Sequence, residues 1–202
     1  VVAAHYGDAL QYSKVSELSN LFGLKGYPWA QLNRTQRWNE QSSSVTSLVD
    51  NKAKAGVAIE SSLSERTLTL KFKSKFAEDF SDLKYVVFLL EDDIKLDQSQ
   101  WAGGDYGYGR GTDRDGDGRM WLINFNHTDV LRHAFTSGPL GDAIPLSSTK
   151  KGSTFEKSFT YEVPTTFNKE KLKLVGIVVK KDNKVINARL SEIGKAQAFE
   201  EL

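Results

Sequence analysis

The period of the apolar residues changes near Gly56, and that change constrains the fold more than any other feature of the chain. Before it, Val15, Leu18, Leu21 and Phe22 recur three and four residues apart, the spacing of one helical face. Gly23 follows, where a left-handed helix C-cap belongs. After it, Leu68, Leu70, Phe72 and Phe76 alternate with Thr67, Thr69, Lys71, Lys73 and Lys75. Successive side chains of a strand point to opposite faces, so this segment predicts a strand with one buried and one solvated face. Tyr85 to Leu90 is a continuous apolar run, fit for a central strand covered on both sides. Phe155, Phe159, Tyr161 and Val163 alternate with Glu156, Ser158, Thr160 and Glu162. Leu172 to Val179 and Lys184 to Leu190 read as two strands around Lys181-Asp182-Asn183, a tight turn in which Asn tolerates positive φ. Such a run of strands without a strong helix predicts an antiparallel β-sandwich over 56–202.

The first 55 residues read differently. Val1 to Tyr6 is expected to be a short strand. Pro28 heads an extended piece from Gly26 to Arg34, because a residue without an N–H belongs at a strand start or edge. A second helix is expected from about Gln41 to Lys54, with Val45, Leu48, Val49 and Ala53 inward and Gly56 ending it. The expected fold class is α+β, an α/β segment over 1–55 followed by the sandwich, with the tail from Ser191 helical or frayed. The chain opens Val1-Val2-Ala3-Ala4-His5 and its single methionine is Met120, so it reads as a fragment or processed form of something longer. No apolar run approaches a transmembrane helix, and no signal peptide is present.

Composition excludes several chemistries. With no cysteine, the chain holds no disulfide, zinc-thiolate site, Cys nucleophile or dithiol. Its 27 basic and 26 acidic residues give a net charge of +1, so no bulk field favours nucleic acid. Of the three histidines, His127 and His133 lie in Asn126-His127-Thr128-Asp129-Val130-Leu131-Arg132-His133 without the spacing of a helical or strand metal pair. No Gly-x-Ser-x-Gly elbow exists to pair with them. That segment therefore reads as structural, with Arg132 paired to Glu91 or Asp92. His5 reads as packed or solvated. No catalytic residue and no enzymatic activity are expected. Lys71, Lys73 and Lys75 read as a solvated face that discourages aggregation.

The sharpest local signal is Asp113-Arg114-Asp115-Gly116-Asp117-Gly118-Arg119-Met120. Asp at loop positions 1, 3 and 5 with Gly at 6 is the spacing that wraps oxygen ligands around Ca²⁺. It resembles the calcium loops of EF-hand and dockerin proteins. The carbonyl of Arg119 would serve at position 7. Asn124 stands at position 12 in place of a bidentate carboxylate, which lowers the expected affinity to about 10⁻⁴–10⁻³ M. Asp105 offers a substitute from the preceding loop. A plain Asp/Gly-rich turn without an ion is the competing reading. Beside it, Gly103, Gly104, Gly107, Gly109, Gly111, Gly116 and Gly118 surround Tyr106 and Tyr108, with Trp101 and Trp121 flanking. Aromatics on a Gly-rich loop are a recognition chemistry. This loop is a candidate contact surface for an unidentified protein or glycan ligand; an ornamental insertion is the alternative.

Strand, helix, then Gly26-Tyr27-Pro28 leading into a strand and a last helix resembles the back half of a thioredoxin fold, which implies a cis bond at Pro28. An edge strand starting at Pro28 is the plainer alternative. Leu89-Leu90-Glu91-Asp92-Asp93-Ile94, Asn126 to Arg132, Gly138-Pro139-Leu140-Gly141-Asp142-Ala143-Ile144 and Val175-Gly176-Ile177-Val178-Val179 resemble the C-terminal part of the twenty-eight-kilodalton outer-membrane lipoprotein family. Gly26-Tyr27-Pro28 and Asn33-Arg34 are similar to the thioredoxin-like portion of that family. The resemblance implies export, outer-membrane location through a lipid anchor absent from this chain, and an adhesin- or receptor-like binding role without catalytic residues. A redox or redox-accessory role, with a dithiol upstream, is the alternative it leaves open. A half-domain would also expose a sheet edge, through which self-association is expected.

Overall fold

The computed structural model describes residues 1–38, 41–48, 52–100 and 111–202. The elements are α1 (Val15–Phe22), β1 (Gln31–Leu32), β2 (Gln36–Arg37), α2 (Ser42–Thr46), β3 (Ala55–Ser64), β4 (Thr67–Phe76), β5 (Leu83–Glu91), β6 (Ile94–Gln100), β7 (Thr112–Asp113), β8 (Met120–His127), β9 (Val130–Ala134), β10 (Asp142–Ala143), β11 (Thr154–Glu162), β12 (Leu172–Lys180) and β13 (Val185–Glu192). The molecule is mostly β, and among the described residues the paired strands are all antiparallel.

Two sheets face each other across the main core. One has the order β10-β5-β12-β13, with β9 also on β5; the other is β11-β4-β3. The alternation of β4 turns Leu68, Leu70, Phe72 and Phe76 inward, where they meet Tyr85, Val87 and Leu89 of β5 and Leu172, Leu174 and Val178 of β12. Phe72 and Tyr85 stack with ring centres 5.4 Å apart. On the outer face, Lys73 lies 2.8 Å from Glu60 and Lys71 4.0 Å from Glu156, so the lysine strip is flanked by acids on both neighbouring strands. The reverse face of the larger sheet is covered by Tyr12, Val15 and Leu18, which pack on Val86, Phe88, Leu90, Leu131, Val175 and Ile177. This second core explains why β5 and β12 read as continuous apolar runs: each is covered on both sides. It also means that residues on either side of position 56 share one core.

In the N-terminal part, α1 ends at Gly23 with φ 59°. The Tyr27–Pro28 bond is cis. The β1–β2 hairpin turns through Asn33 and Arg34, both at positive φ. It docks on the far end of the larger sheet, where Val185 N–H donates to the Asn33 carbonyl at 3.2 Å and the Arg34 guanidinium donates to the Pro139 carbonyl.

Four expectations need correction. Val1 to Tyr6 forms no strand; Ala3 alone bridges Val130. The extended piece behind Pro28 reaches strand geometry only at Gln31–Leu32. The long second helix is limited to Ser42–Thr46, with Val45 and Leu48 exposed; positions 49–51 lie outside the described residues. A Ser-rich segment with no side-chain cap and no buried residue lacks the support that short helices need. Gly56 lies within β3, whose Ala55, Val57 and Ile59 enter the main core. Finally, the tail is neither helical nor frayed. It lies along β3, with Ser61 N–H donating to the Lys195 carbonyl and Gln197 N–H to the Ile59 carbonyl, each at 3.0 Å.

Candidate functional site

A third sheet, β6-β8-β7, leaves the sandwich as an arm. Ile94 pairs with His127 at its base and Ser99 with Trp121 further out, with an irregularity between Leu96 and Gln98. β7 joins the other side of β8 through Thr112 and Trp121. Among the described residues, none between Asp92 and Asp129 belongs to either apolar core. Ile123 of β8 is 53% exposed. The arm therefore owes its order to its own ladder and to the way its root is held.

That root is ionic. The chain enters the arm through Asp93 and leaves through Asp129, both in the left-handed region at φ 59° and 57°. A short polar side chain tolerates this conformation better than most. The two turns are tied together: Asp129 N–H donates to Asp92 Oδ1 at 2.6 Å, and Lys173 reaches Asp92 at 2.7 Å and Asp129 at 2.5 Å. Asp93 accepts from Asn126 Nδ2 at 3.0 Å and pairs with Lys171 at 2.5 Å. Burial works against the Asp92 carboxylate, but the Asp129 amide and Lys173 outweigh it and hold it below the usual carboxylate range. Lys171 and Asn126 do the same for Asp93. Behind this cluster, Arg132 Nε lies 3.2 Å from Glu91 Oε2, and the Asn168 amide donates to Glu91 Oε1 at 2.7 Å. The Arg132 guanidinium covers the Phe167 ring at 4.2 Å. Glu91 and Arg132 are thus brought together, and Pro28 lies in the separate hairpin region.

Of the recognition loop, Trp101, Tyr106 and Tyr108, with Asp105, lie outside the described residues. Trp121 stands on β8 beneath the Arg114 guanidinium, 4.1 Å from the ring centre, with Arg119 at 5.8 Å. The Asp-rich turn is closed by its own groups. Asp113 Oδ2 accepts from Gly118 N–H at 3.1 Å, and Asp117 Oδ1 from Arg119 N–H at 2.9 Å. Arg114 binds both oxygens of Asp115, at 2.7 and 3.0 Å, and reaches Asp97 at 2.8 Å. Its hydrogen bonds to Asp115 and Asp97 raise the Arg114 pKa, and Arg114 lowers that of Asp115. Asn124 is in the left-handed region at φ 54°, and its N–H donates to Asp97 Oδ1 at 2.8 Å. Folded this way, Asp113, Asp115 and Asp117 do not present a converging set of oxygens; among the described residues no trio of His, Cys, Asp or Glu side chains is placed to hold an ion. Sequence reasoning missed Asp97 and Arg114. The only signal was Arg114 itself, a cation in the middle of three aspartates.

The histidines are packed. His133 stacks on Tyr161 with ring centres 4.2 Å apart, and burial lowers its pKa. His127 is buried, with Nε2 3.2 Å from the Leu96 carbonyl.

The family described as outer membrane protein Omp28 matches residues 15–197. No curated protein matches the chain. Among solved structures, HBP35 of Porphyromonas gingivalis is similar, with a TM-score of 0.66 and 17% identity over 98% of this chain and 65% of that one. The chain therefore spans under two thirds of that structure, and at this identity the likeness is one of fold. A domain of the outer membrane lipoprotein Omp28 from Porphyromonas gingivalis matches with a TM-score of 0.42 and 17% identity, over 71% of this chain and 90% of that one. No helix among the described residues is long and apolar enough to cross a membrane. The matched span takes in the sandwich, the arm and its ionic root, so the chain belongs to the Omp28 outer membrane protein family and is an outer-membrane protein.

Proposed function

We propose that this protein is a non-enzymatic binding module of the cell envelope, adhesin- or receptor-like, that offers the Gly- and Tyr-rich segment of its arm to a protein or glycan ligand. One observation carries the reading: none of the described residues of the arm belongs to either apolar core, yet its root is held by a network of charged groups. A folded element held outside the apolar cores is best explained by what it contacts. The test is capture of the protein by a glycan array and by a panel of immobilised extracellular-matrix proteins. Tyr106→Ala/Tyr108→Ala is expected to abolish capture and leave the melting temperature unchanged; capture unchanged by the double substitution removes the reading. Lipid anchoring at the outer membrane belongs to the same reading.

Calcium at Asp113, Asp115 and Asp117 is part of the proposal only if Arg114 yields Asp115 to the ion. Calorimetry with CaCl₂ is expected to show weak binding in the wild type and at least tenfold tighter binding in Arg114→Ala. No heat from either protein would show that the turn takes no ion even without its arginine, and equal binding by the two would show that Arg114 does not close it. A second reading, a redox or redox-accessory role, rests on the resemblance of the Gly26-Tyr27-Pro28 segment to a thioredoxin-like portion. It requires a Cys-x-x-Cys ahead of Val1, which the encoding gene reveals directly.

A further inference from the structure

The N-terminal segment meets the root of the arm through two histidines. Ala3 N–H donates to the Asp129 carbonyl at 2.8 Å, and Leu131 N–H donates to the Ala3 carbonyl at 2.9 Å, which fixes the segment beside β9. His5 then lies against His127, with ring centres 4.9 Å apart and planes at 69°. Each ring has one nitrogen committed. His5 Nδ1 is 2.7 Å from Asp8 Oδ2. An ionised carboxylate only accepts, so Nδ1 carries the proton and Nε2 of the neutral ring keeps its lone pair. His127 Nε2 is 3.2 Å from the Leu96 carbonyl. That oxygen also only accepts, so in the neutral ring the lone pair is on Nδ1.

Neutral imidazoles oriented through the other ring nitrogen by a carboxylate or a carbonyl are the state in which histidine binds metals. Two imidazoles on one ion, at N–metal distances of about 2.0–2.1 Å and a near-tetrahedral angle, have ring centres about 5 Å apart. The observed separation meets that requirement. We propose that His5 and His127 form a two-imidazole site for a divalent transition metal of the zinc class, with Asp8 and the Leu96 carbonyl orienting the rings. The site differs in place and chemistry from the Asp-rich turn: imidazole nitrogens suit Zn²⁺, Cu²⁺ or Ni²⁺, whereas Ca²⁺ takes oxygen donors. Two protein ligands are fewer than the three of an open zinc site, so the remaining positions fall to water or to a donor on an incoming ligand, and the expected affinity is modest. The ion ties the N-terminal segment to the last residue of β8, and so braces the arm.

The probe is ZnCl₂, titrated into the 202-residue chain at pH 7.5 and followed by calorimetry and by thermal melts. One ion per chain is expected, with a rise in melting temperature. His5→Gln, on the more accessible of the two rings, is expected to weaken zinc binding at least tenfold and to remove the thermal shift; His127→Gln is expected to do the same. His133→Gln and Arg114→Ala are expected to bind as the wild type does. Absence of zinc binding by the wild type overturns the proposal. So does binding by a folded His5→Gln protein within threefold of the wild type.

Discussion

Gly176 and Gly141 show how single residues fix this fold. A Cβ on Gly176 of β12 would lie 2.9 Å from the Phe72 ring, so the glycine makes room for a large ring of the facing sheet. Gly176→Ala overpacks the core and is expected to cost about 1–3 kcal/mol, measured by urea denaturation. Gly141 combines φ +86° with a Cβ position 2.5 Å from the Tyr85 carbonyl oxygen. Backbone retreats less readily than a ring, so Gly141→Ala is expected to destabilise more than Gly176→Ala in the same assay. His133 sets a pH dependence. Its burial favours the neutral ring, so its folded pKa lies below the unfolded value near 6.5. The contribution is fully present above that unfolded value and is lost as pH falls below it toward the folded pKa, because the unfolded chain takes up the proton first. Between pH 7 and 5, His133→Phe is expected to flatten the fall in stability seen in the wild type. An unchanged slope would show that the ring titrates alike in both states. Both glycines were visible in the sequence as members of short motifs, but their reasons were not, since each depends on a residue far away in the chain.

At the scale of elements, alternation found the strands that have one dry face and missed those that do not. β4 and β11 were legible because large apolar residues recur at second positions, interrupted only at Ser74 and Lys157. β3 was not, because its first five residues are buried on both faces and its second half is rich in serine. β6 and β8 were poorly legible for a related reason: a sheet that lines no core has no need of a regular apolar face. β11 is an edge strand, and Lys157 occupies an inward-parity position between Phe155 and Phe159 while staying exposed. A charge at that position opposes pairing with another strand. Lys157→Val is expected to produce concentration-dependent self-association by sedimentation velocity, with the wild type less associated at every concentration. Equal sedimentation of the two would remove the edge-guard role.

At the scale of the whole molecule, the sandwich and the arm are joined by charge. Lys173 is the link, since it bonds the turn that enters the arm and the turn that leaves it. Lys173→Met leaves Asp92 and Asp129 facing each other without their cation, at an expected cost of about 1–3 kcal/mol. The loss is expected to appear in amide hydrogen exchange as faster opening of β6 and β8, with the core strands β5 and β12 still protected; uniform acceleration would mean that the arm is not a separate cooperative unit. The sequence by itself determined what depends on nearest neighbours along the chain: the period of β4, β5, β11, β12 and β13, the turn at Asn183, the C-cap at Gly23, and the lack of any thiol chemistry. The tertiary structure alone decided what depends on distant partners: that α1 closes the second face of the larger sheet, that the tail covers β3, that Arg114 occupies the middle of the Asp-rich turn, and that His5 meets His127. Local pattern reports the conformation a segment prefers, whereas charge pairing and ring contact depend on which segments the fold brings together.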